Sequence, residues 1–402
     1  MDEKTSKYDV YISTFLLLYL NSGFGLDAIS GTLVLILDFA LLVFMLLNNI
    51  KSIYKIQLLP VICLLIAITS YLVNGEETKQ IIILVLHFLV AMYFCCSYPV
   101  KSWTNAYVTV ISLISICSLA LYFINIVAPS TLEWLPPIYN SIGLKKGNIL
   151  LAVTPSLNRN YGCFWEPGAF QTYIIIAFII EFFCFGIKSK KRFMVLLLAL
   201  VTTFSTAGYI SATICTIAVL ISSRYDNSKK RATYYVVLLI VVAVFVAYYI
   251  INRFYPQLAY VLFGKLENFQ KTKNSNSSTG VRVNSIIETF RVFMQNPVFG
   301  VGKTHLKGLF RIMYGHEMVT CTYANWFAYF GLLFGLLMLF GLYCFVSTFS
   351  ERASVRIMLF FAMIASITSE DYVINPSVLI LIFYGYANCN LFSKNNKMVF
   401  NM

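Results

Sequence analysis

Two polar stretches of this chain hold the residue types best suited to chemistry. The later one, Thr279 to Gly302, reads TGVRVNSIIETFRVFMQNPVFGVG. Val283, Ile286, Ile287, Phe290, Phe293 and Met294 recur at helical spacing, and Asn284, Glu288, Arg291 and Gln295 fall on the opposite face. Ser278 or Thr279 suits the N-cap, which leaves Arg282 in the first turn. Unsatisfied N–H groups beside a guanidinium make an anion site. Pro297 after Asn296 stops the helix, and Gly300 and Gly302 allow tight turns. On periodicity alone, an amphipathic helix resting on lipid phosphates fits equally well.

The earlier stretch, Asn158 to Gly168 (NRNYGCFWEPG), brackets an aromatic cluster with Arg159 and Glu166. Aromatic faces beside a carboxylate suit sugar binding, although Trp and Tyr also gather in interfacial belts. Three more ionisable residues, Asp38, His87 and Glu181, sit within apolar runs, where charge is costly and marks function by default. They also suit a transporter path or helix packing, and Glu181 is near enough to the Lys188 to Arg192 cluster to pair with it. Asp27 and the Glu370-Asp371 pair lie in short connections. His305 and His316 lie in the second polar stretch's surroundings, where a solvated surface role is the plain alternative.

What must position these groups is a membrane domain. Of 402 residues, 59% are hydrophobic and only 12% charged, against about 25% charged in soluble domains. Apolar runs close to the length of a bilayer crossing recur throughout. The expected fold class is all-α and polytopic: about twelve spans in a single integral domain covering 1–402. They fall near 9–22, 30–48, 58–74, 80–97, 105–127, 169–187, 193–206, 208–222, 232–251, 322–349, 355–370 and 376–393. The first run lacks a small-residue cleavage site after it, so it reads as a retained helix.

Charge orients the spans. The N-terminus, alternate connections (Lys51 and Lys55; Lys101; Lys188 to Arg192; Arg224 to Arg231; Arg352 and Arg356) and the C-terminus with Lys394 and Lys397 all fall on one side. The short connections on the other side hold one basic residue, Lys79, beside Glu76 and Glu77. Both termini are therefore expected in the cytoplasm, and much of the net charge of +13 follows from topology, without any nucleic-acid partner. Two long connections, about 128–168 and 252–321, then face outward; the second carries nine Lys/Arg against three Glu. Within it, Lys271 to Ser278 reads as a flexible tip. The cysteines show no metal spacing, and Cys163 and Cys321 in the outer connections are candidates for a disulfide. No internal repeat supports a secondary transporter.

The order of these motifs resembles the O-antigen polymerase (Wzy) and O-antigen ligase superfamily of bacterial envelopes. The resemblance spans roughly 155–390. It rests on the Arg/Gly/Phe/Glu-Pro segment opening a middle span, the glycine–arginine helix ending in NPVFGVG, Tyr323-Ala324-Asn325-Trp326 before Gly331-Leu332-Leu333, and Ser369-Glu370-Asp371 with Pro376. Arg291 and Gly302 also match the Arg-x10-Gly spacing of polymerase outer loops.

It implies a GT-C-like enzyme of the inner membrane that inverts at an anomeric carbon outside the cytoplasm, with no metal or other cofactor. Donor and acceptor would be oligosaccharides on undecaprenyl diphosphate, in contact with membrane lipid, with a chain-length regulator and a flippase as further partners. Carried over, Arg159 and Arg282 hold the diphosphate and Arg291 adds a third contact, a role suited to guanidiniums. Family ligases place a His directly before the Asn of the late span; here Ala324 stands there. That departure favours polymerase over ligase. It leaves the general base open among His316, His305 and Glu166, in that order. A flippase for the same lipid-linked sugars is the reading from a different class. It would put charge inside the bundle and keep connections short.

Overall fold

The computed structural model describes residues 7–23, 30–49, 55–132, 137–139, 145–148, 151–152, 159–186, 189–223, 253, 278–315, 317 and 319–388. The helices are α1 Lys7–Leu20, α2 Gly31–Asn48, α3 Leu58–Val73, α4 Thr78–Ser97, α5 Val100–Val127, α6 Pro167–Phe185, α7 Lys190–Thr202, α8 Thr206–Ser223, α9 Ser278–Phe293, α10 Lys303–Tyr314, α11 Thr322–Phe330, α12 Leu332–Ser347, α13 Ala353–Ile367 and α14 Pro376–Asn388. Every expected span coincides with helix except the ninth, 232–251, which lies outside the described residues, as do Asp27 and His316.

Among the described residues, four helices, α2, α4, α5 and α6, are long and apolar enough to cross a membrane. Of the rest, α1, α3, α8, α12, α13 and α14 are shorter apolar helices. The chain is a helical membrane protein. Its outer helices turn large apolar side chains away from the protein, such as Ile36 and Phe39 on α2 and Leu113 on α5. In water this would be costly; against lipid tails it is not. The centre belongs to α6 and α14, where Pro167 to Phe183 and Pro376 to Tyr386 are buried throughout. Helix α6 packs on α5, α8 and α13, and α14 packs on α4 and α12.

Two features depart from the all-helical expectation. The first long connection carries a small antiparallel sheet, β1 Pro137–Tyr139, β2 Lys145–Asn148 and β3 Leu151–Ala152, in that order. The span expected at 322–349 is broken into α11 and α12 at Gly331, whose backbone has φ +89°.

The break exists because the NPVFGVG segment reaches it. The amide of Leu332 donates to Pro297 O (2.8 Å) and that of Val301 to Ala328 O (2.7 Å). From the other side, Ser70 Oγ of α3 shares its one hydrogen between the carbonyls of Phe299 (2.5 Å) and Tyr329 (2.8 Å). Backbone groups freed by the broken helix are thereby satisfied inside protein, as hydrocarbon surroundings demand. Gly300 (φ +69°) is needed for the same approach, since a Cβ there would sit 2.5 Å from Ala328 O.

The connections expected to lie outside gather at one end of the bundle. Trp165 N donates to Ser22 O, Asn375 Nδ2 to Asn21 O, and Thr322 N to Glu370 O. The basic connections lie at the opposite end, where Arg352 Nη1 donates to the carbonyls of Ile221 and Ser222. There Arg192 of α7 also pairs with the fully buried Glu181 of α6 at 2.5 Å, the pairing that the sequence allowed. Removing one partner of such a pair strands a buried charge. Arg192→Ala should therefore cost about 3–5 kcal/mol, read as a lower unfolding temperature in detergent. Replacing both residues with apolar side chains should recover most of the loss.

Candidate active site

At the end where the long connections gather, the bundle forms an open cavity of about 410 Å³, within the range of small-ligand pockets. Its apolar lining comes from Leu20 of α1, Val34 and Leu35 of α2, Ile83 of α4, and Ile374. Its polar lining comes from Asn21, Lys79, His87, Trp165, Lys303, Asp371 and Asn375. Lys79 stands in the first turn of α4 and Lys303 opens α10.

Lys303 is set in place through its neighbour. Glu76, just before α4, accepts from Thr304 N (2.7 Å) and Thr304 Oγ1 (2.6 Å), so its carboxylate caps α10 from another element. Leu306 and Phe310 anchor the buried side of α10. Burial pushes the Lys303 ammonium below the ordinary lysine pKa; Asp371 and Glu76 pull it partly back, against Lys307.

Asp371 sits in the turn between α13 and α14. Its Oδ1 accepts from Asn325 Nδ2 (3.2 Å) and its Oδ2 from Tyr329 Oη (3.1 Å). Asn325 and Tyr329 are one helical turn apart on α11, so one face of that helix grips both oxygens. The turn is fastened to the start of α11, where Thr322 Oγ1 donates to Glu370 O (2.7 Å) and accepts from Tyr372 N (2.8 Å). Glu370 in turn accepts from Trp165 Nε1 at 2.8 Å, which fixes the indole at the cavity.

Beneath lies a pair from two apolar runs. His87 Nδ1 is 3.0 Å from Ile374 O, and His87 Nε2 is 3.5 Å from Asp38 Oδ2. A carbonyl only accepts, so Nδ1 carries a hydrogen and Nε2 is turned onto the carboxylate. The second Asp38 oxygen accepts from Asn21 Nδ2 at 3.2 Å. Among the described residues, no group of three His, Cys, Asp or Glu comes together as a metal site.

Of the residues singled out by the sequence, His87 and Asp371 line this cavity, whereas Arg159, Arg291, Glu166 and His305 lie around it without lining it. Arg159 donates from Nε to Thr203 O (2.9 Å) and from Nη2 to Phe204 O (2.8 Å), capping the C-terminus of α7. Arg291 is exposed and 3.7 Å from Glu288, one turn away. Arg282 is in the first turns of α9, and its side chain lies outside the described residues. Glu166 is an exposed residue at the N-cap of α6, and His305 is exposed on α10. Pro297, Gly300 and Gly302 form the turn that delivers Lys303, with Gly302 at the N-cap of α10. Cys163 and Cys321, the candidates for a disulfide, are separate buried thiols.

Sequence reading missed Lys79 and Lys303 as site residues. Lys79 had served only as an exception to the charge pattern. That exception was the usable signal: a lone lysine among short outer connections has a local reason to be there.

Comparison with known families bears on residues 193–349, which match the O-antigen ligase family model. That match covers less than half of the chain and supports the resemblance to the O-antigen ligase and polymerase superfamily. The matched region runs from α7 through α12 and includes α9, the NPVFGVG turn and Lys303. No curated protein matches the chain. The superfamily acts on lipid-linked glycans through glycosyltransferase-type chemistry, and the cavity is assembled partly from this domain and partly from the helices on either side.

Proposed function

We propose that this chain is a polymerase of undecaprenyl-diphosphate-linked oligosaccharide repeat units, working at the periplasmic face of a bacterial inner membrane. The observation that carries the reading is the mixed lining of the cavity. Its apolar side chains suit the first isoprene units, and Lys79 and Lys303 suit the diphosphate. Trp165 offers an aromatic face to a sugar. The inverting transfer needs the leaving diphosphate to be stabilised, which fixed cations can do in a partly desolvated site.

Arg282 and Arg291 on α9, with Arg159 beside the α7–α8 turn, supply further positive charge to the same end. The positive-inside pattern puts that end outside the cytoplasm, where a chain-length regulator and a flippase would work alongside. The family description favours ligase as the second reading. Polymerase is preferred because buried Ala324 stands where family ligases carry their histidine.

Expression in a host lacking its own polymerase should restore a ladder of surface polysaccharide. Arg282→Ala should reduce it to single-unit caps. An undiminished ladder from a well-expressed Arg282→Ala protein would remove the arginine from the diphosphate site. If the wild-type chain gives no ladder and no elongated product from a defined undecaprenyl-diphosphate oligosaccharide, but transfers glycan to lipid A core, it is a ligase.

A further inference from the structure

Glycosyl transfer to a hydroxyl requires a group that takes up the hydroxyl proton. Among the described residues, three features of the cavity point to one group. Among the described residues of its lining, Asp371 is the one carboxylate. His87, the lining imidazole, has Nδ1 on a carbonyl and Nε2 turned onto Asp38. His305 and Glu166 are exposed and outside the lining.

Asp371 is also built for the task. Each oxygen accepts one hydrogen bond from α11, which fixes the carboxyl plane, and a carboxylate oxygen has a second lone pair for a further partner. Lys303 lines the same space, so a leaving diphosphate and an attacking hydroxyl would meet between them.

We propose that Asp371 is the proton acceptor for the acceptor sugar hydroxyl, with Asn325 and Tyr329 as its positioning residues; this rests on the glycan-transfer reading above. In the step, the hydroxyl oxygen forms a bond to the anomeric carbon of the donor. The bond from that carbon to the phosphate oxygen breaks, and its electron pair leaves on the lipid diphosphate. The hydroxyl proton passes to an Asp371 oxygen and from there to water.

The test is an in vitro assay of the full chain with an undecaprenyl-diphosphate oligosaccharide. Asp371→Asn should lower kcat on the order of 10²–10⁴-fold, with KM for the lipid-linked substrate little changed. Asp371→Glu should recover part of the rate. Added formate should partly restore Asp371→Ala, a readout that a merely structural role would not move. Near-wild-type kcat in Asp371→Asn overturns the proposal, and so does a folded Asp371→Ala that formate does not rescue.

If the Asp371 variants fail to fold, Asn325→Ala and Tyr329→Phe keep the carboxylate and loosen it. They should lower kcat about tenfold or more at similar KM, and unchanged kcat in both overturns the proposal. Wild-type protein that elongates nothing defeats the polymerase reading instead, whereas an active wild type with an equally active Asp371→Asn defeats this inference alone.

Discussion

Replacing Lys303 with methionine should lower glycan transfer on the order of 10²–10³-fold, the usual effect of removing one preorganised group from a developing anion. The side chain opens α10 at the cavity, and burial has already pushed its pKa down. A desolvated ammonium interacts with a leaving diphosphate more strongly than an exposed one. Lys79 is exposed, so Lys79→Met should cost less.

The pKa direction adds two signatures. Activity that needs the Lys303 cation falls as pH rises through its lowered pKa, so the alkaline limb should begin below the ordinary lysine value of 10.5. The stability sign is opposite. The unfolded chain holds this proton more tightly than the fold does, so between the lowered value and 10.5 the fold gains stability as pH rises. At neutral pH the charged form is therefore a burden on the fold. Lys303→Met should leave thermal stability equal or higher while transfer collapses, the exchange expected of a functional residue. A variant that loses stability and activity together would mark Lys303 as structural.

Lys303 also shows what the sequence could and could not reveal. The helices were legible because lipid surroundings force long apolar runs, and the ends of those runs were punctuated by Asn21-Ser22-Gly23, Asn74-Gly75 and Asn375-Pro376. Charge segregation was legible for the same reason: Arg192 and Arg352 do gather at the end away from the cavity. The site was not. Asp371, Lys79, His87 and Lys303 come from three separate elements, and their convergence depends on how α4, α10 and the α13–α14 turn pack. Arg159 misled because a conspicuous arginine beside aromatics reads as ligand-binding, whereas its donors close a helix end. Asp38 and His87 were flagged singly as costly charges, and only packing shows that they face each other. The break at Gly331 was hidden because Gly-Leu-Leu inside an apolar run carries no sign of the segment that would dock there.

That break supports the last prediction: Gly331→Ala should destabilise the chain by more than about 3 kcal/mol, the upper end for backbone strain alone. Two costs add. At φ +89° and ψ 178° the backbone occupies a region essentially reserved for glycine. A Cβ there would also overlap the carbonyl oxygen of Val298, a backbone atom that cannot rotate away. Relief would require moving the NPVFGVG turn, which breaks Leu332 N to Pro297 O and Val301 N to Ala328 O inside the bundle. Because that turn leads directly into Lys303, and α11 carries Asn325 and Tyr329, any surviving protein should also lose transfer activity. Gly308→Ala is the matched control. It lies within α10 with nothing near a new Cβ, so it should be neutral or gain about 0.5–1 kcal/mol. Thermal unfolding of the two variants in one detergent separates the cases. Equal stability of Gly331→Ala and wild type would mean that the turn and the broken helix are not locked together, and the packing that delivers Lys303 to the cavity would need another source.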